Sequence, residues 1–242
     1  MLIPLKRQTF EELIPAVATA EQYAYYWGKF TDFLKRLLIS VVSVFSIFLI
    51  ALALGDNGSG AAELISGIIA GLYWLWWPVA AASFRNMQCR RYEYSAIWQG
   101  RVLDVYVTEE IIGEEETVNS KGQLVIVENR ERRLTVEVGD RTGFSTQLQV
   151  PLRREHKAIA PRQIALMVVM SNKPNFSKIS KFSDIYIPSC NVWVSDYPFL
   201  RRDLFEEIVR ELRATRQAAK LKKEQREEVT RRSSRSRTRD EM

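Results

Sequence analysis

Leu37 to Leu54 reads LLISVVSVFSIFLIALAL, a stretch without a single charge, and how it is read decides the rest of the fold. A helix of about 20 apolar residues, rising 1.5 Å per residue, crosses a hydrocarbon core ~30 Å thick. The stretch is therefore a transmembrane candidate, with Phe33 able to extend it. The competing reading, a helix buried in a soluble protein, normally keeps one polar face, and this stretch has none. A second apolar run, Ala61 to Phe84, carries only Glu63 as a charge, close to its start. Gly55-Asp-Asn-Gly-Ser-Gly60 between them is built from residues that tolerate positive φ, which suits a tight turn. The two runs together predict a transmembrane helical hairpin over residues 35–85.

Flanking charge orients the hairpin. Lys35 and Arg36 precede the first run, Arg85, Arg90 and Arg91 follow the second, and the turn carries Asp56. Basic residues collect on the cytoplasmic side, so both termini are expected there, with these five cations facing lipid at that leaflet. The aromatic residues agree. Tyr73, Trp74, Trp76 and Trp77 lie in GLYWLWWPVA, and Tyr25, Tyr26 and Trp27 lie in QYAYYWGKF just before the first run. Both clusters fall at one leaflet, where indole and phenol rings keep their polar atoms wet. A membrane-interface belt is the first reading. A contact surface for another membrane-protein subunit or a pigment-like cofactor is the second, and a ligand pocket enclosed by two helices is disfavoured by their small number. Gly67 and Gly71, at GxxxG spacing, and Ser40, Ser43 and Ser46, every three positions on the first helix, mark faces that allow close helix packing in lipid. No ionisable residue lies near the middle of either run, which argues against transport by this chain alone.

Beyond Tyr92 the pattern becomes one of short alternating runs: Val102, Val105 and Val107, then Leu124 to Val127, then Leu134, Val136 and Val138. Ile164 to Met170 is continuously apolar and suits a strand buried on both faces, and Ile185 to Ile187 and Val192 to Val194 add two more. About seven strands at this spacing predict an antiparallel barrel or a sandwich over 92–195. Leu200, Leu204, Ile208 and Leu212 recur every four residues and predict a C-terminal helix over 196–219. The fold class is thus a membrane-anchored α+β protein. Residues 1–34 read as an amphipathic interfacial segment. Residues 220–242 form a basic tail with no apolar stripe, expected to be disordered.

Chemistry is sparse. His156, the one histidine, has no Cys or second His at ligand spacing and no evident catalytic partner, so it reads as an exposed loop residue. Cys89 and Cys190 are a hundred residues apart and read as reduced thiols. No nucleotide, hydrolase or zinc signature occurs, so no catalytic, cofactor-binding or metal-binding residue is expected, and the chain reads as non-enzymatic. The arginines of RRSSRSRTR, Arg231 to Arg239, suit an anionic lipid surface or plain solvation. Without interleaved aromatic residues they do not suggest nucleic acid.

Three stretches, QYAYYWGKFTDFLKRLLISVV, GEEETVNSKGQLVIVENRERR and SDYPFLRRDLF, together resemble a family of membrane proteins from cyanobacteria and related photosynthetic lineages. Its members often carry the label "phosphate ABC transporter permease". The resemblance covers nearly all of the chain except the last twenty or so residues, and it implies a thylakoid or plasma membrane of a photosynthetic cell. It brings no catalytic motif. The permease label fits poorly, because such a subunit needs several spans and a coupling helix with its Gly motif. The expectation is an accessory or assembly protein, anchored in the lipid bilayer and contacting subunits of a larger photosynthetic membrane complex. An accessory subunit of an ABC-type phosphate transport system is the alternative.

Overall fold

The computed structural model describes residues 1–54, 60–118, 122–215 and 217–218. The Gly55–Gly60 turn, apart from Gly60, and the basic tail lie outside them. From Met1 to Leu200 the chain forms one compact unit, and Arg201 onward forms a second. In chain order the first unit contains β1 (Leu2–Pro4), α1 (Arg7–Leu13), α2 (Ala20–Trp27), α3 (Phe30–Leu54), α4 (Gly60–Gly71), α5 (Tyr73–Arg90), β2 (Tyr94–Val118) and β3 (Leu124–Gly139). It continues with β4 (Ser145–Pro151), a 3-10 turn over Arg154–Ala158, β5 (Ile164–Ser171), β6 (Lys181–Phe182), β7 (Ile185–Ile187) and β8 (Val192–Val194).

Among the described residues one helix, α3, is long and apolar enough to cross a membrane: Phe30–Ala53 has a mean hydropathy of 2.4 and is largely uncovered. The expected second span is not a straight helix. It breaks at Leu72 into α4 and α5, bent by 72°, and the pair reaches a membrane-crossing length only when taken as one broken span. Pro78, the residue that suggests a kink from sequence, sits inside α5 and is buried. The break lies six residues earlier, at Leu72 with φ −92° and ψ 8°, directly after Gly71. α4 runs antiparallel along α3. A Cβ on Gly71 would sit 3.6 Å from Val44, and Ile47, Ile50 and Ala51 share a shallow cleft with Ala62, Glu63 and Ser66.

Residues 1–27 are built into the folded body. β1 pairs with β2 through Leu2↔Trp98, and Phe10, Leu13 and Ile14 are fully buried. Arg7 donates to the carbonyls of Tyr92 (2.8 Å) and Arg90 (2.6 Å), which ties α1 to the end of α5. At the start of α2, Thr19 and Gln22 form a capping box, each side chain satisfying the other's backbone N–H.

The strands form a single antiparallel sheet of eight strands among the described residues, in the order β4-β3-β2-β5-β7-β8, with β1 on β2 and β6 on β5. It is one open sheet, neither a closed barrel nor two stacked sheets. Its ends nonetheless share a core. Leu134 and Val138 of β3 and Val150 of β4 belong to the same buried cluster as Ile185 of β7 and Val194 of β8, so the sheet curls over Trp98, Met167 and Ile159. The expected count of short strands gives way to one very long strand. The first part of β2, Tyr94 to Arg101, pairs with β5, and the rest, Arg101 to Val118, pairs with β3. β5 is buried from Ala165 to Ser171 on both faces, as its continuous apolar run indicates. His156 is 3% exposed, not a surface residue, and its Nδ1 accepts the Arg153 N–H at 3.2 Å inside the 3-10 turn.

The second unit is a helix over residues 202–215, which starts later than Asp196. The chain from Tyr197 to Leu200 is instead held as a turn, since the buried Asp184 carboxylate accepts the N–H of Phe199 at 3.0 Å and of Leu200 at 3.5 Å.

Candidate membrane and partner contact site

Breaking a helix orphans backbone groups, and in an apolar setting each orphan costs free energy. At Leu72 two of them are captured by side chains. The Trp76 indole N–H donates to the Ile69 carbonyl at 2.9 Å, and the Trp74 N–H donates to the Ser40 hydroxyl of α3 at 3.3 Å. Trp76 is thus more than apolar bulk, because it caps α4 from within the next helix. Of the three serines at that spacing, Ser40 makes the contact between the helices. It is buried, whereas Ser43 is half-buried and Ser46 is exposed and bonds its own helix at Val42. Gly71 meets Val44, and Gly67 meets nothing within 4 Å.

The two aromatic clusters separate and recombine. Trp27 packs edge-on to Trp74 at 6.2 Å, and Phe33 joins them, 5.7 Å from each ring. Tyr73 stacks on Trp77 at 5.3 Å and meets Trp76 edge-on at 5.3 Å. Tyr25 and Tyr26 turn the other way and pack edge-on against Tyr197, at 5.1 and 5.7 Å.

Behind that tyrosine cluster lies a buried polar junction. Gln22 donates its amide to the carbonyls of Pro198 (2.9 Å) and Phe199 (3.2 Å). Its oxygen accepts from Asn86 at 2.7 Å and from the Thr19 N–H at 3.1 Å. Asn86 also donates to the Pro15 carbonyl at 2.9 Å and accepts from the Tyr197 hydroxyl at 3.3 Å. Burial, with Tyr26 alongside, pushes the Tyr197 phenol well above its ordinary range, so it stays a donor. An amide offers two donors and two acceptor sites, and Gln22 uses all four. The network welds α2 and α5 to the chain end of the sheet unit. Sequence reasoning passes over Gln22, Asn86 and Tyr197. The Thr-x-x-Gln capping box and a lone asparagine on the apolar Pro78/Ala82 face are the signals that would have found two of them.

The five flanking cations divide. Arg36 is 7% exposed and donates to the carbonyls of Tyr26 (2.7 Å) and Trp27, closing the end of α2. The Arg85 guanidinium lies 4.2 Å from the Tyr197 ring centre and 5.1 Å from that of Phe199. Arg90 pairs with Glu11 at 2.5 Å. Lys35 and Arg91 are exposed. Three of the five are therefore tied to other parts of the fold, and Lys35 reaches Asp32 of its own helix at 3.9 Å.

The outer part of the β2–β3 hairpin, from Glu109↔Arg132 to Val118↔Leu124, lies beyond the pairing of β4, which ends at Pro151↔Arg133. At ~3.4 Å per residue this ribbon extends on the order of 30 Å. Its aliphatic residues Ile111, Ile112, Val118, Leu124 and Ile126 are exposed. Glu109–Arg132 (3.4 Å) and Glu110–Arg133 (2.8 Å) bridge its two strands. Among the described residues no three His, Cys, Asp or Glu side chains gather as a metal site.

No curated protein and no solved structure matches the chain. The model of a family of unknown function, DUF8619, matches residues 3–223, and the chain belongs to that family.

Proposed function

We propose that this chain is a non-enzymatic accessory protein that anchors in a lipid bilayer and holds its sheet unit against a larger membrane assembly. The observation that carries this reading is the joining of two unlike surfaces. α3 leaves its apolar residues uncovered, and the Gln22–Asn86–Tyr197 junction fixes the base of that helical part rigidly to the sheet. An anchor on a flexible tether needs no such junction; a part that sets the position of a domain over a membrane does.

In this reading α3 crosses the bilayer and α4 returns along it, so both termini lie on the cytoplasmic side. The β2–β3 ribbon is the contact element. A two-stranded ribbon with unpaired edges and exposed aliphatic residues accepts a strand or an apolar patch from another chain. The sequence resemblance puts a photosynthetic complex first among the assemblies to examine.

The test is purification from native membranes in mild detergent, using a tag after Met242, with full-length chain beside a variant whose residues 109–132 are replaced by a short turn. Photosystem or respiratory subunits retained by the full chain and lost from the shortened one support the proposal. An ABC-type ATPase in their place supports the transport-subunit alternative. Recovery of the full chain alone, after crosslinking as well as before it, refutes the accessory role.

A further inference from the structure

At 1.5 Å per residue, the 12 residues of α4 span about 18 Å, well short of a ~30 Å hydrocarbon core. The bend that ends α4 falls between Val44, which Gly71 faces, and Ser40, which the Trp74 N–H reaches, one to two turns of α3 from Arg36. That is about 5–11 Å along α3 from Arg36, within reach of a headgroup boundary set by that cation, where tryptophan concentrates. With α4 along the membrane normal, a 72° bend leaves α5 within about 20° of the membrane plane.

α5 has two distinct faces. Pro78, Ala82, Asn86 and Cys89 recur at helical spacing and are all buried against the folded body. On the opposite side Trp76 and Trp77 (39% exposed each), Phe84 (62%) and Met87 (49%) form a second apolar stripe that stays exposed among the described residues. The stripe begins where the uncovered surface of α3 and α4 ends and stops before the exposed Arg91. A soluble surface rarely carries so large a continuous apolar patch.

We propose that α5 is an interfacial helix, lying in the plane of the leaflet that α3 enters from the cytoplasmic side. Trp77, Phe84 and Met87 dip into the lipid, and the Asn86 face is turned to the sheet. The lipid leaflet is the occupant the geometry favours, since the stripe continues the bilayer-facing surface of α3 and carries interface-preferring rings at its start. This rests on the membrane anchoring proposed above. It replaces a second straight span with a shorter return helix and a surface float, and it leaves both termini on one side.

Nitroxide depth measurement tests it on the full chain, reconstituted in phosphatidylcholine/phosphatidylglycerol vesicles with Cys89→Ala and Cys190→Ser as background. Labels are placed at Trp77→Cys and Met87→Cys on α5, with Phe84→Cys between, and at Leu38→Cys and Phe48→Cys on α3. Each end pair is ten residues apart, about 15 Å of helix. The expected result is a depth difference of about 15 Å for the α3 pair and about 5 Å or less for the α5 pair, with all three α5 labels near the headgroups. A difference on α5 as large as on α3 overturns the proposal in favour of a continuing span. Three α5 labels in water, with Phe48 deep in lipid, overturn it in favour of a protein cover for the stripe. Phe48 in water removes the anchoring itself, and this proposal falls with it.

Discussion

Trp76 shows how much depends on one hydrogen. Its indole N–H serves the Ile69 carbonyl at the helix break, so Trp76→Phe keeps most of the ring and leaves a carbonyl unpaired in an apolar setting. Such a loss costs about 1–3 kcal/mol. The unfolding midpoint in detergent, followed by near-UV circular dichroism, should drop by several degrees for Trp76→Phe and much less for Trp77→Phe, which keeps its stacking on Tyr73. Equal drops would dismiss the capping role. His156 carries the pH dependence. Burial holds its pKa below the ordinary value; Glu155 opposes this and Arg153 adds to it. A depressed histidine favours the fold while neutral. Its contribution is complete above the unfolded value near ~6.5 and is lost as pH falls through the lower folded value. The midpoint should therefore fall between pH 7 and 5.5, and His156→Asn, which retains an acceptor for Arg153, should flatten that slope. An unchanged slope would assign it to other groups. The richness of tryptophan was legible in the sequence, but the hydrogen-bond partners were not. Trp76 reaches seven residues back, about 10 Å along a straight helix, and Trp74 bonds a serine thirty-four residues away. Both exist only because the helix breaks.

Between elements, the Gln22–Asn86–Tyr197 network predicts strong coupling. Asn86→Ala and Gln22→Ala should each lower stability, and together they should depart from additivity by roughly 0.5–3 kcal/mol, because each removes a partner the other needs. Agreement with the simple sum would mean that the junction is not one unit. Glycines give a second contrast. A Cβ on Gly100 would meet the Trp98 ring at 2.0 Å and the Gly139 carbonyl oxygen at 2.5 Å, whereas on Gly113 it meets nothing within 4 Å. Gly100→Ala should abolish a folded sheet unit, seen as rapid limited proteolysis, and Gly113→Ala should leave it intact. A protected Gly100→Ala protein would contradict the packing around Trp98. The doubly buried strand β5 was readable from its unbroken apolar run. The length of β2 was not, because register shifts between Val102 and Asp104 and between Ile111 and Gly113 interrupt the alternation and leave only Val102 to Val107 standing out, while β3 carries two of the expected strands. Apolar composition also runs unbroken through Leu72, so only the captured backbone groups reveal that two helices meet there.

For the molecule as a whole, the anchoring reading predicts that a reporter at Met242 and one at Met1 behave alike and that one inserted between Gly55 and Gly60 behaves oppositely. In vesicles with the cytoplasmic face outward, protease should cut both ends and spare the insertion. A cut insertion, or ends on opposite sides, would refute the return path through α4. An apolar helix followed by an antiparallel sheet was visible in the residue pattern alone. The openness of the sheet was not, since barrel, sandwich and curled sheet all demand the same alternation and differ only in which strands pair. Nor does the pattern reveal that the first twenty-seven residues close onto strands far along the chain. That closure bears on how the protein is made. β1 waits for Trp98, and Gln22 waits for carbonyls 176 and 177 residues later. During synthesis the helices emerge while the groups that complete the sheet's base are still untranslated. A chain stalled or cut before Pro198 leaves the Gln22 amide without both carbonyls, so the last residues of this body decide whether its first helices are held in place.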